Sequence, residues 1–385
     1  MARLDPESIE ALDHATKRSR GAGLESCALR RIKAGFALKP NEGEKMNTLE
    51  ESSLIGTDGR PRFGIYSKPL TSLNLDDFRP HGAKDRALLT KSWILNYRIK
   101  RWEYLGLCNN DLIFGLAVVR LGYMCNLFAY LFDRQSGRIS EYDILTPGGG
   151  AAIFKGTSLT GEIHFESGKT TVHMMCDPET ITVEGSIKGE LSINLSFQKY
   201  REPLICLTRV GLKGFNYTHK EAGIPVRGTI GHKDVLWDIQ EELAFGVRDY
   251  TLGYLARQTF WNWASGGGID KGGKRIGFNL VQGVNETGFT ENVFWVNGRL
   301  VKTDVVDFRY DDLDLLKPWH IESNDGRVRL QFLPAGKRSA NTNIGLIVSK
   351  FHQPFGRFEG TLRDGDQICE LQNVSGFTEE HYAKW

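Results

Sequence analysis

Several acids, bases and aromatic residues in the second half of the sequence are spaced for proton transfer. Glu286 and Glu291 sit in VNETGFTENVFW, on a polar run with Gly288 that reads as a loop entering a strand. A carboxyl close to Phe294 and Trp295 is poorly solvated, and desolvation lifts its pKa toward the range useful in acid–base catalysis. Trp261, Asn262 and Trp263 place an amide between two indoles, and strand alternation puts both indoles on one face. That face suits a cavity wall or plain core. Arg257 shares their parity, and an inward arginine needs an acid, with Glu291, Glu322 or Asp249 in reach by pattern. His320 and Glu322 share another face, His352 stands in FHQPF, and His381 follows Glu379 and Glu380. A histidine beside a carboxylate can relay a proton. Asn279 is a further polar residue set among apolar ones, able to position a substrate.

Other chemistries lack their spacing. Neither HxH nor HExxH occurs, so no metal is expected. GGGIDKGGKR has the glycines of a phosphate loop without its GK[ST] ending, and Gly168-Lys169-Thr170 has the ending without the first glycine. No GxSxG elbow is present and no dinucleotide fingerprint precedes a helix, so no cofactor is expected. His164 and His173 are placed to face each other across a hairpin, as a structural pair.

The elements that would hold these residues are strands. Short β-branched and aromatic runs recur every 8–12 residues or so, with turn signals between them and no helical stripe of useful length. Expected strands include 93–99, 112–121, 123–132, 158–165, 170–175, 180–187 and 191–198. In the second half, 255–263, 275–282, 292–296, 302–310, 319–323, 328–334, 344–350 and 357–362 follow. Asn297-Gly298 and Asp325-Gly326 are tight-turn pairs. Residues 202–231 are crowded with proline and glycine and read as a junction. The expected organisation is an irregular N-terminal extension over 1–62 with a short helix after Pro6, one β unit over 63–225, and a second over 226–385. The fold class is mainly β, in two tandem antiparallel barrels or curved sandwiches.

The second half also resembles a known group. YTLGYLARQTFWNWAS, GFNLVQG, TENVFWVNG, PWHIESNDGRVRLQFLPAGKR and SKFHQPFGRFEGTL are similar to motifs of an uncharacterised, mainly bacterial family. That family is distantly related to the lipocalin-like carotenoid hydratases and natural-product cyclases. The resemblance covers roughly residues 85–385. It implies two lipocalin-like barrels with a cavity, and cofactor-free chemistry on apolar small molecules.

Composition narrows the remainder. Basic residues number 49 and acidic residues 47, for a net charge of +2, too balanced for a nucleic-acid binder. The N-terminus lacks an apolar signal core and no apolar run is long enough to span a membrane, which points to a cytoplasmic protein. A homo-oligomer is compatible with all of this. Three functions stay open. The first is an acid–base enzyme for hydration, isomerisation or cyclisation, with Glu291 as the acid, His320 or His352 as helper, and Arg257 and Asn262 placing the substrate. The second is a glycoside hydrolase acting on an oligosaccharide through Glu286, Glu291 and Glu322. The third is a non-catalytic lipocalin-like binder.

Overall fold

Alternation of apolar and polar residues runs through most of this chain, and the computed structural model shows it as antiparallel strands. It describes residues 52–80, 97–284, 288–344 and 347–384. The strands of the first half are β1 (Gly64–Tyr66), β2 (Lys100–Cys108), β3 (Leu112–Arg120), β4 (Met124–Asp133), β5 (Arg138–Pro147), β6 (Ala152–Gly156) and β7 (Gly161–Ser167). Next come β8 (Thr170–Cys176), β9 (Thr180–Ile187), β10 (Leu191–Gln198), β11 (Leu204–Val210), β12 (Gly214–His232), β13 (Val235–Ile239) and β14 (Phe245–Tyr254). The second half has β15 (Gln258–Ile269), β16 (Arg275–Gln282), β17 (Val293–Val296), β18 (Arg299–Lys302) and β19 (Val306–Arg309). It closes with β20 (Trp319–Ser323), β21 (Val328–Ile344), β22 (Ile347–Asp364) and β23 (Gln367–Lys384).

These strands form two sheets. The first has fourteen strands, with the main path β5-β4-β3-β2-β14-β12-β10-β9-β8-β7-β6. Side chains from near both ends of that path, such as Leu127 of β4 and Phe154 of β6, share one core, so the sheet curls on itself. The second sheet has nine strands in the order β18-β17-β16-β15-β23-β22-β21-β20-β19. Its ends also meet: Val301 and Phe308 share a core, and the Phe308 N–H donates to Gln282 Oε1 at 2.9 Å. The mainly β, two-unit expectation holds.

A third apolar layer lies between the sheets. Tyr104, Ala117, Tyr130 and Val247 face it from the first sheet, and Trp263, Val281, Trp295, Phe355 and Phe377 from the second. Alternation makes this possible, because a strand at the seam sends every other residue to its own barrel and the rest to the layer between the sheets.

The strand β12 links all three layers. Residues 202–231 were expected to be a junction; instead they make β11 and most of this 19-residue strand. Its first part pairs with β11 and β14, and its later part with β10 and β13. A bulge between Ala222 and Ile224 turns it from one set of partners toward the other. Gly223 at the bulge has φ +73°, and a Cβ there would come 2.5 Å from the Ile276 carbonyl oxygen. A Cβ on Gly277 would come 1.8 Å from the Ala222 carbonyl oxygen. The two sheets therefore touch backbone to backbone at a point where only glycine fits.

Other expectations shift at the edges. The division drawn at 225/226 falls inside β12, and the passage from one sheet to the other lies between Tyr254 and Gln258. The strand expected over 93–99 begins later, at Lys100; Trp93 and Leu95 lie outside the described residues, as does the helix after Pro6. Leu54 and Ile55, assigned to the extension, are buried against Tyr66, Phe215 and Tyr250. Asn297 (φ 51°) and Gly298 (φ 81°) make the tight turn between β17 and β18, with both residues in the left-handed region such a hairpin needs.

Candidate functional site

A cavity of about 210 Å³ opens in the seam between the sheets. It is smaller than the roughly 300–1,000 Å³ of drug-sized sites, so it suits a compact ligand. Its walls are largely aromatic and aliphatic: Trp102, Tyr104, Phe128, Trp261, Trp263, Val281 and Phe351.

A buried ion cluster lines one side. Lys220 Nζ of β12 lies 3.0 Å from Glu291 Oε2 and 3.4 Å from Asp249 Oδ2 of β14, with all three side chains almost fully buried. Asn216 Nδ2 donates to Glu291 Oε1 at 3.1 Å. Asp249 also accepts from Trp102 Nε1 at 3.2 Å and from the Thr251 hydroxyl at 2.9 Å. Burial draws the Lys220 ammonium toward its neutral form, but Asp249 and Glu291 outweigh it, and the net shift is upward. The site thus holds one cation between two carboxylates. Lys220 also lies over the Trp263 ring, 5.0 Å from its centroid. Asn279 positions this wall: it accepts from Trp263 Nε1 at 2.8 Å and donates to the Glu291 carbonyl oxygen at 2.8 Å.

A second polar cluster comes from β22 and β23. Glu379 Oε1 accepts from Trp261 Nε1 at 2.8 Å and lies 3.6 Å from His381 Nδ1. His381 Nε2 pairs with the Ser349 hydroxyl at 2.9 Å, and its ring lies 4.3 Å from that of Trp261. Three groups on the lining have no hydrogen-bond partner among the described residues: Asn216 Oδ1, the Thr259 hydroxyl and Arg338 Nε.

The cavity collects some of the residues singled out from sequence and leaves others elsewhere. Glu291, Trp261 and Trp263 line it, and Asn279 stands behind them. Asn262 points to the opposite face of β15, where it donates to the Tyr310 hydroxyl at 2.9 Å. Trp295 is fully buried in the seam, donating to the Glu202 carbonyl oxygen at 2.8 Å, with a structural role. Arg257 is exposed at the bend before β15, so the inward arginine expected from parity does not occur. His320 and Glu322 do share a face, but it is the outer face of β20, where Glu322 pairs with Arg309 at 3.3 Å. His352 is within β22, bonded to the Ser339 hydroxyl and set opposite Glu380, away from the cavity lining. Glu286 lies outside the described residues. His164 and His173 are cross-strand partners with rings 6.1 Å apart.

Sequence reasoning missed Lys220 and Asn216 and gave Asp249 only a minor part. A signal was available in FNYTHKEAG: His219, Lys220 and Glu221 are consecutive ionisable residues in a strand buried on both faces. Alternation sends Lys220 to the cavity and its neighbours to the other side. There Arg248 Nε donates to Glu103 Oε1 at 2.8 Å, and Arg248 Nη1 lies 3.6 Å from Glu221 Oε2. Ionisable groups on both faces of β12 and β14 thus build the ion cluster above and a structural network below.

Comparison with known proteins fixes the family. A profile described as "Domain of unknown function (DUF2804)" matches residues 45–385. The chain belongs to the DUF2804 family. The family match covers both sheets and every residue of the cavity. No match is found among curated proteins. Among solved structures, the DUF2804 chain is similar to CghA, at 11% identity and a TM-score of 0.48 over 74% of this chain and 88% of that one. It is similar to a protein assigned as AttH from Nitrosomonas europaea, at 13% identity and a TM-score of 0.44, covering 74% and 92%. Kievitone hydratase from Nectria haematococca aligns at 8% identity and a TM-score of 0.42, covering 74% and 88%. No helix among the described residues is long and apolar enough to cross a membrane. None of the described His, Cys, Asp and Glu residues cluster in threes or more to hold a metal.

Proposed function

We propose that this protein is an enzyme that performs acid–base chemistry on a compact, apolar or amphipathic small molecule in the seam between its sheets. The observation that carries the reading is the Lys220–Asp249–Glu291 cluster, buried and facing an aromatic cavity. The trio sets two carboxylates around one ammonium. Asp249, with three donors on its oxygens, anchors Lys220. Glu291 is the group that exchanges a proton with the substrate. The Lys220 ammonium stabilises negative charge that develops on a substrate oxygen, and it does so without reorganising at the moment of reaction. Water addition to an activated alkene, double-bond migration and ring closure all need this one pairing of proton carrier and oxyanion partner.

The test is conversion of a panel of bicyclic and aryl enones in D2O, followed by mass spectrometry for deuterium uptake or water addition. Protein-dependent conversion is expected, falling about 10²–10⁴-fold in Glu291→Gln, the usual contribution of a positioned acid–base group. Conversion undiminished in that variant would remove Glu291 from the chemistry. Tight binding with no conversion would favour the non-catalytic binder.

A further inference from the structure

Resting on that reading, we infer that the natural substrate carries an anionic group, and that Arg338 of β21 is the residue that receives it. Arg338 lines the cavity, and its side chain is 3% exposed. Its guanidinium lies 4.3 Å from the Phe128 ring centroid and 4.9 Å from that of Phe351, so two aromatic side chains border the cation. A guanidinium has five N–H donors. Among the described residues none of them makes a side-chain hydrogen bond, and the Nε atom is buried without a hydrogen-bond partner.

Among the described residues, the acids paired with it are solvent-exposed and at the long end of ion-pair distance. Glu141 Oε2 lies 3.5 Å from Nε and Asp143 Oδ2 lies 3.8 Å from Nη2, and those carboxylates are 40% and 51% exposed. Both distances exceed the 2.7–2.9 Å or so of a charge-assisted hydrogen bond. A buried cation left without good acceptors is costly, whereas elsewhere in this molecule buried cations are well paired: Arg248 with Glu103, and Lys220 with Asp249 and Glu291. Arg338 differs in lining the cavity without a carboxylate inside hydrogen-bond reach. An incoming carboxylate or phenolate oxygen would meet the planar fork, while Glu141 and Asp143 relax into solvent.

The cavity wall extends this to the shape of the ligand. Lys220 lies against Trp263, Trp263 packs edge-on to Tyr104 at 5.5 Å, Tyr104 contacts Phe128 at 6.4 Å, and Phe128 lies against Arg338. An aromatic path therefore joins the proton-transfer cluster to the anion anchor. The substrate class is a flat or cyclic apolar body with an acidic group away from its reacting centre. Lys220 does not compete for that group, because its two carboxylates already neutralise it.

The experiment is calorimetric titration of the full chain with 2-naphthoate and with its neutral isostere, 2-naphthamide. In the wild type the acid should bind about 10–100-fold more tightly than the amide, as expected for a hydrogen-bonded charge. Arg338→Met should abolish that preference while leaving amide binding within about twofold, and Arg338→Lys should restore part of it. Melting curves check that both variants stay folded. Equal binding of acid and amide by the wild type would overturn the anchor and leave the acid–base reading standing, as would a preference that survives in Arg338→Met. If neither probe enters, the anchor is overturned and the cavity reading falls with it.

Discussion

Lys220 and its two carboxylates show how little of a buried charge's effect belongs to the charge alone. Burial draws the ammonium toward its neutral form; Asp249 and Glu291 more than offset that, so it keeps its proton more firmly than in water. The sign of the linkage follows. A folded-state pKa above the unfolded value gives stability that is fully present below about 10.5 and is lost as pH rises through the folded value. Lys220 therefore stays charged across the neutral range. Lys220→Met leaves two buried carboxylates facing each other without a cation. Urea melts should show a loss of about 3–5 kcal/mol, and combining it with Glu291→Gln should recover part of that. A loss below about 1 kcal/mol would mean that water already reaches the trio, since exposed pairs are worth no more than that.

Strand β12 had to position Lys220, and it is also where the sequence was hardest to read. Its flanks alternate cleanly, and β9, β10 and β16 occupy the residues that alternation assigns to them. In β12 the same rule fails locally, because Gly223 and Pro225 sit in mid-strand. Proline and glycine there usually mark an end, whereas here they make a bulge at which the strand changes partners. Reading a break at that point hid Lys220 and Asn216. Glu291, Trp261 and Trp263 were legible because an acid and two indoles keep their parity within short segments. Their meeting with Lys220 was not, because it depends on how two sheets face each other and no local pattern encodes that. The opposite face of β12 makes its own prediction. His219 is fully buried and its pKa is drawn down to about 3, first by burial and then by Arg248. A depressed value means the stability is present above the unfolded pKa of about 6.5 and is lost as pH falls toward the folded one. Between about pH 6.5 and pH 5, before most carboxylates titrate, thermal unfolding should weaken by up to roughly 1.4 kcal/mol per pH unit from this residue. His219→Gln should flatten that slope, and an unchanged slope would assign it to other groups.

At the scale of the whole molecule, the cavity exists because two curled sheets are held at a fixed distance. Gly223 and Gly277 set that distance by backbone contact, so Gly277→Ala should wedge the sheets apart. The expected cost is about 1–3 kcal/mol or more, read by calorimetry, together with weaker binding of naphthalene probes. Binding at wild-type strength would show that the seam is set elsewhere. The chain passes between the sheets at a single place among the described residues, between Tyr254 and Gln258. A chain opened there would keep each sheet's ladder whole, yet Lys220 and Asp249 would belong to one polypeptide and Glu291 and Arg338 to another. Formation of the site would then depend on concentration, and dilution alone would switch it off. Covalent continuity at Leu255–Arg257 is what makes the site's assembly a first-order event.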